Sequence, residues 1–96
     1  MERGKGVPLT WTPAGFGQIR KYYVWRATGS FPTAQLVLLN FSKFSNLKTL
    51  TGAPPSPSYI DSNVKNNTTY TYFVTEANKQ GVQSEPSSPV VVTVKF

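Results

Sequence analysis

The chain contains no cysteine and no histidine. Their absence removes disulfide bridges, thiolate nucleophiles, imidazole bases and the zinc sites built on those ligands. Carboxylates are scarce too. Glu2, Asp61, Glu76 and Glu85 make four, against ten lysines and arginines, for a formal charge of +6. No window holds the roughly 18 consecutive apolar residues that a membrane-spanning helix needs. The opening Met1-Glu2-Arg3-Gly4-Lys5-Gly6 has two basic residues but no apolar run behind them, so it does not read as a signal peptide. Any export signal is expected elsewhere or in a larger parent chain.

Chemistry has little to work with in this inventory. Hydrolysis commonly needs paired carboxylates, or a nucleophile oriented by a base. The four acids are scattered, the many Ser and Thr hydroxyls have no base, and no glycine-rich phosphate loop occurs. We therefore expect no enzyme: no catalytic residue, no cofactor-binding residue and no metal ligand set. Asp61, followed by Ser62 and Asn63, reads as a turn cap and not as a calcium site.

What is present suits a small β domain. The 96 residues are enough for one core, and they carry two Trp, five Tyr, six Phe and eight prolines. Val7, Leu9 and Trp11 alternate with polar or small residues on one strand face, and Pro8 suits an edge. The loop Pro13 to Gly17 offers glycines for positive φ. Ile19 to Ala27 reads as a second strand, with Tyr22 and Val24 on one face and Tyr23 and Trp25 on the other. Gln35 to Phe41 reads as a short buried strand. Phe41, Phe44, Leu47 and Leu50 then recur every three residues, which is neither strand alternation nor a full helical stripe, so this stretch reads as loop or a single helical turn. Gly52 to Pro57 is a proline-rich connector. Ser58 to Ser62 is a short strand, Asn66-Asn67 a tight turn, and Thr69 to Ala77 a well-alternating strand with Tyr70, Tyr72 and Val74 on one face. Asn78 to Gly81 makes a hairpin loop, and Val90 to Phe96 closes the chain. Six or so strands with close turn signals predict a sandwich or a barrel.

Several of these segments resemble a fibronectin type III domain. Val7-x-Leu9-x-Trp11 is similar to that family's strand B, and Ile19, Tyr22, Val24 and Arg26 follow the pattern of its strand C. Val64-Lys65-Asn66-Asn67-Thr68-Thr69-Tyr70 fits the frame of its E–F corner, with Asn-Asn in place of Pro-Gly. Tyr70, Tyr72, Val74, Ala77 and Gly81 follow strand F, and Ser84-Glu85-Pro86-Ser87-Ser88 leads into strand G. The resemblance covers about Val7 to Phe96 and implies an all-β, immunoglobulin-like antiparallel β-sandwich at residues 7–96, with residues 1–6 a polar arm. It implies that Tyr70 is a tyrosine-corner residue bonded to backbone near Val64, and that Trp11 packs in the core near Tyr22 and Val74. Two departures stand out. Strand A looks reduced or missing, which leaves the strand B edge bare, either as a poor edge or as one completed by another chain. The stretch Phe41 to Pro57 is also longer than the family needs there.

The family implies contact and spacing roles in surface, extracellular or virion assemblies, so a non-catalytic structural or adhesive module with a protein partner or self-association is expected. The alternative is a carbohydrate- or anion-binding accessory module of a secreted enzyme, with Arg20, Tyr23, Trp25 and Phe73 sharing an exposed aromatic and cationic sheet face, unless strand C′ or a neighbouring domain partly covers Tyr23, Trp25 and Phe73. Nucleic acid is disfavoured because the basic residues are spread along the chain. Phe41, Phe44, Leu47 and Leu50 either cover an open end of the sandwich or dock a neighbour. No Arg-Gly-Asp occurs. The sequons at Asn40, Asn66 and Asn67 bear on the protein only if it is a secreted eukaryotic one.

Overall fold

The computed structural model describes residues 6–11, 19–51, 58–84 and 87–95, with the side chains of Ile19 and Arg20 outside the described set. Six strands run through the described residues: β1 (Val7–Thr10), β2 (Ile19–Thr28), β3 (Ser45–Thr51), β4 (Ser58–Asp61), β5 (Thr68–Asn78) and β6 (Val90–Val94). One helix, α1 (Ala34–Leu39), and a 3₁₀ turn (Phe41–Lys43) lie between β2 and β3. All pairings are antiparallel. The strands form a two-stranded sheet, β1–β4, and a four-stranded sheet ordered β3–β2–β5–β6. The loop expected at Pro13 to Gly17, the Gly52 to Pro57 connector, Phe96 and all of the N-terminal arm but Gly6 lie outside the described residues.

Strand alternation builds the main core. Val7 and Leu9 from β1 meet Tyr22, Val24, Tyr70, Tyr72, Val74 and Val94 from the larger sheet. Trp11, Leu47, Leu50, Tyr59, Val64 and Val92 close the margins, and the Trp11 ring stands edge-on to Tyr22 at 5.6 Å. At the turn before β5, Asn67 takes a left-handed φ of 58°, a conformation that asparagine tolerates. The Lys65 N–H donates to the Tyr70 hydroxyl at 2.9 Å, which ties this corner to the strand that follows. The link from β5 to β6 uses side chains as strand surrogates. Ser84 and Ser87 hydroxyls accept from the Glu76 and Val74 N–H groups, both at 2.9 Å, and their own N–H groups donate back to the same two residues.

The stretch after β2 corrects the reading of Gln35 to Phe41 as a strand. Pro32-Thr33 opens a helix: the Thr33 hydroxyl accepts the Leu36 N–H at 3.2 Å, and Asn40 ends the helix by donating to the Leu36 and Val37 carbonyls. A short unbroken apolar run carries no periodicity that separates strand from helix, and the cap decides it. The true third strand is Ser45–Thr51, inside the stretch expected to be loop. There the pairing slips between Val24, opposite Lys48, and Trp25, opposite Asn46, so Leu47 is one residue too many on β3. That bulge lets Leu47 and Leu50, three apart, both reach the main core.

Behind the larger sheet lies a second apolar cluster of Ala27, Val37, Phe44 and Phe73, flanked by Trp25 and Phe31. Gly29, at φ 118°, turns the chain onto this face. The buried Thr71 hydroxyl fixes the turn by donating to the Gly29 carbonyl at 2.7 Å and accepting the Phe31 N–H at 3.0 Å. Phe44 meets Phe73 edge to face at 4.9 Å and is 7% exposed, whereas Leu39 is 72% exposed. Phe44→Ala is therefore expected to cost about 3 kcal/mol by urea unfolding, whereas Leu39→Ala falls within about 0.5 kcal/mol of wild type.

Candidate functional site

Of the residues proposed from sequence as an open aromatic face, Tyr23, Trp25 and Phe73 do come from one side of the larger sheet. In β2 and β5, Trp25 stands opposite Phe73 and Tyr23 opposite Thr75, so the antiparallel register places all four on the same face. Trp25 and Phe73 stack at 5.9 Å with planes 10° apart. The face is not open, however. Phe41 lies 5.2 Å from the Trp25 ring and 5.8 Å from Phe73, Phe44 caps Phe73 from the other side, and Phe73 is left 2% exposed. The Trp25 indole N–H donates to Thr75 Oγ1 at 3.0 Å, and that hydroxyl donates to the Gln83 amide oxygen at 2.8 Å. Phe73 is thus a core residue under the chain's own helical segment. Only Tyr23, half-buried beyond the cover, remains of the expected platform. Arg20 belongs to β2, and its side chain lies outside the described residues.

The second expected set also separates. Phe44 is buried behind the sheet, Leu47 and Leu50 are half-buried against the main core, and Phe41 alone keeps substantial exposure, at 40%. Because β3 is a strand, its side chains divide between the two faces of the sheet, so the four residues do not form one patch. A run of exposed apolar residues lies just upstream, apart from the exposed Ile60, Val82, Val90 and Val91 elsewhere. Leu36, Leu38 and Leu39 are 38%, 56% and 72% exposed, and with Phe41 they form a ridge along the outside of α1 and the 3₁₀ turn. A helical reading of residues 34–39 was the missing signal, since a six-residue helix lying on a sheet buries one side only. Here that side is Val37.

A polar node was also missed. Arg26, read as a strand margin, points into the gap between the sheets. Its Nη1 donates to Asp61 Oδ2 and to the Asn63 carbonyl, both at 2.8 Å. The Tyr72 hydroxyl donates to the same Asp61 oxygen at 2.7 Å, and the Asn63 N–H reaches the other at 3.1 Å. The Arg26 guanidinium sits 4.9 Å above the Tyr70 ring. Asp61 does cap its turn, and it does more: it comes from β4, whereas Arg26 and Tyr72 come from the larger sheet, so the node braces the sandwich. With 0% exposure and both oxygens engaged, Asp61 is a brace and presents no carboxylate to a substrate. Burial would lower the Arg26 pKa, but the hydrogen bond and charge of Asp61 outweigh it and raise the value. The Tyr72 phenol is pushed well above its ordinary range, first by burial and then by its hydrogen bond to Asp61.

Among the described residues no group of three or more acids, His or Cys stands close enough to hold a metal ion, and no helix is long and apolar enough to cross a membrane. No family model, curated protein or solved structure matches the chain.

The node is asymmetric, and that asymmetry can be measured. Arg26→Met leaves a carboxylate without its charge partner at 0% exposure, with an expected cost of about 3 kcal/mol in chemical denaturation. Asp61→Asn leaves a guanidinium that is 22% exposed and can turn to water, so its cost is smaller. A pH series probes the same node. A raised phenol pKa favours the neutral form, so the Tyr72 contribution is complete below the unfolded value near 10 and is lost as pH rises through the folded value. Melting temperatures followed upward from pH 9 should fall for the wild type and fall less steeply for Tyr72→Phe. The residual slope belongs to Tyr22, whose pKa is also raised, by burial and then by the charge of Glu76.

Proposed function

We propose that the chain is a non-catalytic assembly module of the fibronectin type III kind, which makes protein–protein contacts through the apolar ridge of α1 and the 3₁₀ turn. The pairing of β1 with β4 and the order β3–β2–β5–β6 agree with an assignment of the six strands to the family's B, E, C′, C, F and G. The hydrogen bond between the Lys65 N–H and the Tyr70 hydroxyl agrees with a tyrosine corner. The setting implied by the resemblance is a cell-surface, extracellular or virion assembly.

The observation that carries the reading is the run of Leu36, Leu38, Leu39 and Phe41 at the surface. Single exposed leucines are ordinary. Four large apolar side chains within six residues of one segment mark a surface that gains by being covered. The two aromatics deeper in that face, Trp25 and Phe73, are already covered by the chain itself, so they hold the ridge in place and do not compete with it for a partner. The bare edge expected at β1 is a weaker candidate, because residues 1–5 lie outside the described set.

Light scattering across a dilution series tests this reading. Mass should rise with concentration, and more steeply at high salt, where the positive charges of two copies are screened. The double variant Leu38→Glu with Leu39→Glu, both exposed and with no core role, should remain monomeric at an unchanged melting temperature. A wild type that stays monomeric at every salt and concentration would turn the reading to a spacer or a ligand-binding domain.

A further inference from the structure

Among the described residues, the helical segment covers one end of the larger sheet. It lies over Ala27, Phe73 and Trp25, while at the opposite end of β2 Lys21 is exposed and Tyr23 half-buried, outside that cluster. The register explains why a groove forms there. Lys21 faces Ala77 on β5 and Thr51 on β3, and Tyr23 faces Thr75 and Thr49, so two long side chains are flanked by short ones on both sides. The hairpin after β5 raises the far wall. Asn78 Oδ1 accepts the Gln80 and Val82 N–H groups at 3.0 Å each, and Gly81 turns with φ 85° and nothing within 4 Å of a would-be Cβ. The result is a groove of about 430 Å³ lined by Lys21, Tyr23, Ala77, Asn78, Lys79 and Gly81. That volume falls in the range of small-ligand sites, about 300–1,000 Å³.

Charge points to the occupant. Among the described residues the two acids are buried, Asp61 at 0% and Glu76 at 5%, and every fully exposed charge is a lysine. The one ion pair among these residues is Arg26 with Asp61, so neither Lys21 nor Lys79 is neutralised by a carboxylate there. Two other hollows lie near the far end of β2, but both are lined by Arg26, whose guanidinium is committed to Asp61. Of these three hollows, this groove combines two ammonium groups that have no carboxylate partner among the described residues with a half-buried aromatic ring.

We propose that this groove binds an anionic sugar chain. Lys21 and Lys79 take its carboxylate or sulfate groups, and the Tyr23 ring, beyond Lys21 along β2, takes the apolar face of the neighbouring sugar ring. A single lining ring beside two cations suits a sugar better than single-stranded nucleic acid, whose sites stack successive bases on several aromatics. The Tyr23 hydroxyl and the Asn78 amide NH2, whose oxygen is committed to the hairpin, supply polar groups for the sugar hydroxyls. The site lies at the other end of the sheet from the apolar ridge and stands independently of the assembly reading.

The test is an NMR titration of the whole chain with four probes: an oligogalacturonate, a dextran sulfate oligosaccharide, neutral maltohexaose and a single-stranded oligonucleotide. Amide shifts should concentrate at Lys21, Tyr23 and the hairpin 77–81 with one or both anionic sugars, and the stronger of the two identifies carboxylate or sulfate as the preferred group. Lys21→Gln with Lys79→Gln should weaken binding about tenfold or more, since each removes a charge-assisted contact. Tyr23→Ala should weaken it about fivefold at unchanged charge, through the lost ring contact. Lys48→Gln with Lys95→Gln, outside the groove, makes the same change in net charge and should stay within about twofold of wild type. Leu38→Glu with Leu39→Glu should leave sugar binding intact. Equal losses from the two lysine pairs, an unaffected Tyr23→Ala, tighter binding of the oligonucleotide, or no shifts with either anionic sugar would each overturn the proposal.

Discussion

From Tyr70 to Ala77, β5 is buried on both of its faces, and the remainder of the molecule is arranged around that demand. Its inner residues, Tyr70, Tyr72 and Val74, meet the β1–β4 sheet in the main core. Its outer residues, Thr71, Phe73 and Thr75, need a cover that neither sheet of the described residues supplies. The chain between β2 and β3 provides it. Thr71 pins the entry to that segment, Phe73 receives Phe41 and Phe44, and Thr75 anchors the Trp25 indole. A cover of six helical residues and one 3₁₀ turn is too short to shade the whole sheet. Its outside becomes the apolar ridge, and the unshaded end of the sheet becomes the lysine-lined groove. Both surfaces with functional promise are thus by-products of one packing requirement.

The Arg26–Asp61–Tyr72 node answers a different need. The smaller sheet has only two described strands, and its apolar contribution to the core is correspondingly thin. A charged, hydrogen-bonded contact between β4 and the larger sheet adds a fixed geometry that apolar side chains alone specify loosely. A carboxylate at 0% exposure is tolerable only because three donors converge on it. Buried pairs of this kind contribute to uniqueness of arrangement more clearly than to net stability, since desolvation offsets much of the attraction. In this chain the geometry fixed by the node is the relative placement of the two sheets at the end of β2.

Strands with clean alternation were legible in the sequence. Val7 and Leu9, Tyr22 and Val24, and Tyr70 through Val74 each announced their face by a period of two, and the structure keeps those faces. The segment from Gln35 to Leu50 was not legible. Its apolar run has no period, its helix is set by a single threonine cap, and its strand carries a bulge that mimics a spacing of three. Sequence spacing also grouped Phe41, Phe44, Leu47 and Leu50 as one patch, whereas the sheet plane passes between the phenylalanines and the leucines.

The sequence by itself determined the chemical limits. With no cysteine or histidine, few acids and an excess of lysine, it fixed which side-chain chemistries are present, and alternation fixed which residues of most strands turn inward. Only the tertiary structure decided what is covered. Whether an aromatic ring is a platform or a core residue depends on which distant segment lies over it, as Phe41 and Phe44 do over Phe73. Whether an aspartate caps a turn or braces two sheets depends on an arginine 35 residues away in the chain. Alternation along a strand reports only that a side chain leaves on one face or the other. What meets it there is set by contacts between residues far apart in sequence, which no local pattern encodes.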